Sequence, residues 1–151
     1  MSSMQHVIFN LENEEYGLDI MKVITIEKYQ EVVKVPNTPE YITGVINLRD
    51  SVLPIYSLRK KFHLQEKEPD DDTKIIVTVT NGMNIGFIVD GVQEIINIED
   101  KVIEDAPKIV TGVHRKYIKS IAKLEERMVI LIDIDLIISE EEQIELGKVA
   151  E

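Results

Sequence analysis

Asp133 and Asp135 lie two residues apart. In a strand their carboxylates would share a face and could hold Mg²⁺ or do acid–base work. They also stand where a strand gives way to a helix, a position at which aspartate is a preferred N-cap, and this second reading is favoured. His6, His63 and His114 are far apart, none with a ligand partner at helical or hairpin spacing, so they are read as surface histidines. The run Asp70-Asp71-Asp72 invites calcium, yet an EF-hand loop counted from Asp70 would need glycine at Ile75 and glutamate at Asn81. The glycines at 82, 86, 91 and 112 form no phosphate-binding loop, and no Gly-x-Ser-x-Gly elbow is present. With no cysteine there is neither a thiolate nucleophile nor a Cys-based zinc site.

Arg49 differs from these. It ends the stretch GVINLRD (44–50) and precedes SVLPIYSL (51–58), two apolar runs joined by an Arg-Asp-Ser step. That pattern predicts a hairpin, Ile42–Leu48 with Val52–Tyr56, that would hold a long charged side chain at a fixed angle over a surface. The plain alternative is a surface arginine paired with Glu27 or another acid, a contact worth ~0–1 kcal/mol.

The elements that must position this arginine are short. Runs of four to eight residues rich in Val and Ile recur between turn signals and predict about ten strands. Gln5–Glu12 and Tyr16–Ile20 flank a turn at 13–15. Met21–Tyr29 should be extended, with Val23, Thr25 and Glu27 on one face. A further run at Val32–Val35 ends at Pro36 and Pro39, which forbid regular pairing locally. Ser57 should cap a short helix. Asn81-Gly82 should turn Lys74–Thr80 back into Asn84–Val89, since both residues tolerate positive φ. Gln93–Ile98 is strand-like, residues 99–107 read as an acidic loop, and Tyr117–Leu124 with Met128–Asp133 make a third hairpin. From Leu136 one terminal helix is expected, capped by Asp133 or Asp135.

The polar window QEKEPDDDT (65–73) is the candidate linker. The expectation is a single domain over 5–145, mostly β, with subdomains near 5–64 and 74–145, strand or helix exchange between them being left open. Some 70 residues per half suits two small SH3-sized barrels. Seventeen basic against 28 acidic residues give a net charge of −11, which argues against nucleic acid or anionic lipid as partner. The longest apolar run, Met128–Ile132, is five residues, so no membrane insertion is expected, and no secretory signal is visible. The cytoplasm is the expected location.

One specific pattern joins these pieces. Gly44-Val-Ile-Asn-Leu-Arg49 followed by Leu53-Pro-Ile and Leu58, preceded by Asn37-Thr38-Pro39, resembles the signature of the CheW family of chemotaxis coupling proteins. Gly86-Phe-Ile-Val-Asp90, Val92, Ile95-Ile96, Met128–Leu131 and Asp133-Ile-Asp135 follow in the family's order, so the resemblance spans about residues 5–145. The regulatory domain of the histidine kinase CheA shares this fold. A chain starting at Met1 without kinase motifs favours the free-standing coupling protein. The resemblance implies two five-stranded SH3-like barrels packed together, short helices including a C-terminal one, no catalysis and no cofactor. It also implies an adaptor, monomeric on its own, that holds chemoreceptor cytoplasmic tips and CheA together in arrays at the inner face of the membrane. A related scaffold of a non-flagellar chemosensory system is the alternative.

Carried over by position, Val23 and Arg49 match family positions tied to receptor coupling, Asn47 belongs to the same motif, and Val89 and Val92 match the segment implicated in the groove between the barrels. Two departures stand out. Asp50 occupies a position where relatives often have glycine, and Thr25 one where many have glutamate. The expectation is that Glu27, two residues on, supplies the missing carboxylate opposite Arg49.

Overall fold

The computed structural model describes residues 2–106 and 117–150. Its strands are β1 (Ser3–Leu11), β2 (Glu14–Asp19), β3 (Val23–Lys28), β4 (Ile42–Leu48), β5 (Ser51–Ser57), β6 (Lys74–Thr80), β7 (Met83–Val89), β8 (Gly91–Glu99), β9 (Ile103–Asp105), β10 (Ile118–Leu124) and β11 (Arg127–Ile132). The helices are α1 (Leu58–Lys61), α2 (Ile134–Ile137) and α3 (Glu140–Ala150), with 3₁₀ turns at Ile20–Lys22 and Asp100–Val102. Local chemistry explains the tight connections. Asn81 and Gly82 take φ of 50° and 79°, the pairing that a two-residue hairpin turn needs. The Ser57 hydroxyl accepts from the Lys60 amide at 3.2 Å and starts α1.

The strands form two sheets, in the orders β3-β6-β7-β5-β4 and β8-β1-β2-β11-β10-β9. In the first, Pro54 is tolerated inside a central strand because β5 meets β7 only over Ile55–Ser57. Beyond β3 the chain turns so that Val33 and Val45 exchange both backbone hydrogen bonds, at 2.8 and 2.9 Å. The continuation of one outer strand thus meets the other, and the sheet curls around Ile46, Leu53, Ile55, Ile75 and Val77. Only this single bridge forms in the 32–35 run expected as a strand. Gly44 permits the closure: a Cβ there would sit 2.1 Å from the Val33 carbonyl oxygen, at a φ of 154°.

The second sheet wraps Ile8, Ile98, Ala122, Val129 and Leu131. Its sixth strand, β9, is three residues long and falls within the stretch expected as a loop. Between the sheets lies a third cluster that joins Val7, Phe9 and Leu18 from one to Tyr56, Ile76, Phe87 and Val89 from the other. Each sheet is therefore buried on both faces, which is why strands such as β6 read as near-continuous apolar runs.

The sheets do not part at residues 65–73. β6 and β7 pair with β3 and β5, while β1 and β2 cross to join β8, β10 and β11. That exchange is set by non-local pairing, on which a local drop in hydrophobicity has no bearing. Within 65–73 the Asp70 carboxylate accepts from the Asp72 amide at 2.9 Å and from the Thr73 hydroxyl at 3.3 Å, closing a turn. The terminal helix is also two helices. Asp133 caps α2 by accepting from the Asp135 amide at 3.0 Å. Ser139 and Glu142 form a reciprocal capping box for α3, at 3.2 and 2.9 Å, a Ser-x-x-Glu signal that the reading above did not use. The Glu142 carboxylate then accepts from the Tyr56 hydroxyl at 3.1 Å and docks α3 on β5.

Two ionic ties cross between the sheets. From α1, Arg59 donates Nε and Nη2 to the two oxygens of Asp90 at 2.8 and 2.6 Å, and Nη1 to Glu12 at 2.7 Å. The Glu12 amide donates to Asp90 at 2.8 Å. Lys22 meets Asp135 at 2.8 Å, and Asp135 also accepts from the Asn81 amide at 2.9 Å. Burial pushes the Asp90 carboxyl up, but the Arg59 fork and the Glu12 amide outweigh it and leave it below the ordinary carboxylate range.

Two outcomes are expected. Gly44→Ala should lower stability by about 2–4 kcal/mol in urea unfolding, from overpacking and the loss of two hydrogen bonds. The Asp90 contribution is fully present above the unfolded carboxylate pKa of about 4 and is lost as pH falls through the lower folded value. Below about pH 4 the wild type should therefore lose stability more steeply than an Arg59→Met, Asp90→Leu double variant, read as urea midpoint against pH.

Candidate functional site

The residues around Arg49 gather at one rim of the five-stranded sheet. β4 and β5 are joined by the two residues Arg49 and Asp50, whose φ values are 50° and 68°. Both lie in the left-handed region, as a two-residue hairpin turn of this type demands. That backbone explains the glycine expected at position 50. Aspartate is among the few other residues that visit this region readily, whereas for arginine it is an uncommon conformation. The turn projects Arg49 outward, with its side chain 71% exposed.

The Arg49 Nη2 stands 3.5 Å from Glu27 Oε2, so the expected pairing is present. β3 and β4 are the two outer strands of their sheet, so this ion pair lies across the seam that the Val33–Val45 bridge closes. Glu27 is the less exposed partner, at 20%. Most of the guanidinium remains available to another molecule.

The expected common face of Val23, Thr25 and Glu27 is corrected by a bulge. Val23 pairs with Thr78, yet Thr25 pairs with Val77, a shift of one residue. Thr25 and Glu27 therefore lie on the side of Val77 and Ile75, inside the closed sheet, while Val23 packs with Ile26 against the cluster between the sheets. The Thr25 hydroxyl is buried and has no hydrogen-bond partner. Asn47 is exposed and sits opposite Val52 on the outer face of the hairpin. Val33 and Val52, 65% and 55% exposed, share that outer face with Val45 and Asn47 by register. The alternation of 45 and 47 outward with 44 and 46 inward carried that information, though the sequence reading did not draw on it, and a bulge between Ile42 and Gly44 turns Ile42 to the cluster between the sheets.

Val89 is 0% exposed and belongs to the core, so it cannot touch a partner and serves by packing alone. Val92, half-buried, lies on β8, an outer strand of the other sheet. The structure thus brings Glu27 and Arg49 together, sets Asn47 on the same hairpin as Arg49, and leaves Thr25 inside the closed sheet and Val23, Val89 and Val92 apart from them. Sequence reasoning missed Arg59 and Glu12, which give no local signal because their partners are 31 and 47 residues from Arg59.

The remaining candidates resolve into structural tasks. Asp133 is a cap, and Asp135 is held below the ordinary carboxylate range, burial opposing and the Lys22 and Asn81 bonds prevailing. Among the described residues no group of His, Asp or Glu is placed to hold a metal ion. His6 is buried at 7%, with Nδ1 3.1 Å from the Met4 carbonyl, contrary to the surface reading. His63 is exposed, and His114 lies outside the described residues. No described helix is long and apolar enough to cross a membrane.

Two interlocked sheets, an exposed charged turn and carboxylates committed to structure define an interaction module, of the scaffold class. The chain belongs to the CheW-like domain family, whose model matches residues 5–142. It is 39% identical over 146 residues to the chemotaxis protein CheW of Klebsiella aerogenes, covering 97% of this chain and 88% of that protein. It is 36% identical to the CheW of Bacillus subtilis over 89% of this chain and 86% of that one. A crystal structure of the scaffolding protein TtCheW from Thermoanaerobacter tengcongensis superposes with a TM-score of 0.84 at 35% identity, covering 93% of this chain and 96% of that one. The chain is a chemotaxis adaptor with the fold of that scaffold.

Asp50→Gly should raise stability by about 0.5 kcal/mol, because glycine removes the left-handed penalty at some cost in chain entropy. A lower urea midpoint would show that the Asp50 carboxylate itself supports the turn.

Proposed function

We propose that this adaptor couples chemoreceptor cytoplasmic tips to the regulatory domain of the histidine kinase CheA, performs no catalytic step itself and works in the cytoplasm, at the inner face of the membrane. The observation that carries the reading is the Arg49 turn. A guanidinium is held over a sheet seam in a backbone conformation uncommon for arginine, and most of its donors face solvent. Strain of this kind persists where a side chain must be aimed. Arginine at such a rim supplies directional, charge-assisted hydrogen bonds to a partner carboxylate or carbonyl.

Around it, Asn47 offers an amide, Glu27 steadies the guanidinium, Val52 adds apolar area on the same hairpin, and Val33 adds more from the segment bridged to β4. Thr25, with its buried hydroxyl, shapes the strand beneath and makes no contact itself, and Val23 acts likewise from the core side. Val92 lies on the other sheet and serves a second contact, in keeping with an adaptor that meets its two partners on different parts of its surface. Modest individual contacts suffice when many copies are linked in an array.

The test is a pull-down with CheA and a receptor cytoplasmic fragment, scored for ternary complex and kinase activity; binding of neither partner would sink the reading. Arg49→Glu should weaken receptor binding about 30-fold, the size of an arginine hot spot, with unfolding unchanged within about 0.5 kcal/mol. The swap Glu27→Arg with Arg49→Glu restores the seam pair. If that swap restored receptor binding, Arg49 would act by closing the sheet rather than by contact.

A further inference from the structure

Arg59 and Asp90 are buried charges in a protein whose sheets are joined mostly by apolar side chains. Their side chains are 10% and 12% exposed, and the guanidinium also donates to the Gln65 carbonyl. Arg59 belongs to α1, which follows β5 of the five-stranded sheet. Glu12 sits in the β1–β2 turn of the six-stranded sheet, and Asp90 at the junction where the chain leaves β7 for β8. The Asp90 amide donates to the Asn10 carbonyl at 3.0 Å, which ties the junction to β1 as well.

The second tie lies at the other end of the same strand. Asn81 immediately follows β6 in the turn that leads into β7, and Lys22 immediately precedes β3, all three strands in the five-stranded sheet; Asp135 follows β11 of the six-stranded sheet. At about 3.3 Å per residue the two ties stand on the order of 25–30 Å apart along β7. An apolar interface is non-directional and permits its two faces to slide or rotate. A bidentate fork between charged planes has one good geometry, the single Lys22–Asp135 contact adds a second anchor point, and together at the two ends of one strand they set both position and angle. Buried ion pairs add little net stability compared with apolar replacements and are best explained by the arrangement they select.

We propose that the Arg59–Asp90–Glu12 and Lys22–Asp135–Asn81 ties are an orientation lock that sets one angle between the two sheets, and that Arg59 and Asp90 are positioning residues for adaptor function. The first half rests on the geometry alone. The second rests on the coupling function proposed above: partners gripped on different sheets are held at a fixed mutual geometry only if the sheets cannot turn.

The test replaces the buried pair with apolar side chains, Arg59→Met with Asp90→Leu. The chain has no cysteine, so spin labels at Val52→Cys and Met128→Cys, 55% and 61% exposed, report one inter-sheet distance. The labelled wild type should give a narrow distribution and the labelled double variant a broadened one. An equally narrow distribution at the same distance in the variant overturns the lock. In the unlabelled double variant, binding of CheA alone and of the receptor fragment alone should be retained, while receptor control of the kinase in the ternary mixture falls about fivefold or more. Full control despite a broadened distribution overturns the positioning role. Wild type that binds neither partner would instead mark failure of the coupling function and would leave the distance result standing. Should the double variant not fold, Lys22→Met at the more exposed tie carries the same measurements with the same outcomes.

Discussion

From a single helical turn, the Arg59 guanidinium reaches a carboxylate at the end of β7, a carboxylate in the β1–β2 turn and the Gln65 carbonyl that opens the polar connection. Pairing of β5 with β7 and of β1 with β8 brings those pieces side by side, and the guanidinium bonds all three. Their meeting depends on β1 and β2 having crossed to the sheet of β8–β11, and in turn it holds that crossing in place. The apolar cluster between the sheets supplies most of the association, since Phe9, Leu18, Tyr56, Phe87 and their neighbours are withdrawn from water together. The ionic ties add direction to an attraction that has none. The C-terminal helix then returns to the first sheet through Glu142 and Tyr56, so the chain passes between the sheets repeatedly and neither half folds from a contiguous segment.

The proposed interaction surface follows from how the five-stranded sheet closes. Closure brings Val33 against Val45, which Gly44 alone permits, and it sets Glu27 of one outer strand near Arg49 at the end of the other. The glycine and the arginine of the GVINLR stretch are thus two parts of one device: the first lets the seam shut and the second stands over it. The Asp133 and Asp135 carboxylates are spent on a helix cap and an inter-sheet tie, which leaves no pair free for acid–base work there. Function in such a protein is carried by which side chains face outward, and at what angle.

Much of this was legible where the deciding forces are local. Asn81-Gly82 gave its hairpin, Ser57 its cap, and the apolar runs at 42–48 and 52–56 their pairing, because turn chemistry acts within a few residues. The Glu27–Arg49 pairing was also anticipated, from the resemblance and strand periodicity together. The bulge between Val23 and Thr25 was not, since an extra residue in one strand is set by its partner, β6, about fifty positions away. The burial of His6 and of Val89 followed from sheet stacking that no window of sequence displays. β9 went unseen because three residues, two of them acidic, make a strand only when β10 is there to pair with them.

By itself the sequence determined a β-rich, cysteine-free, acidic protein with short strands, its turns, its caps and, through motifs in order, its family. These rest on composition and on interactions a few residues long, which each segment carries wherever it goes. Only the tertiary structure decided which strands share a sheet, which valines are surface and which are core, and that Asp90 is a structural anchor rather than a contact. Those outcomes depend on burial and on buried charge. Both are properties of the assembled whole, because a side chain is removed from water only by residues that the chain must first bring to it.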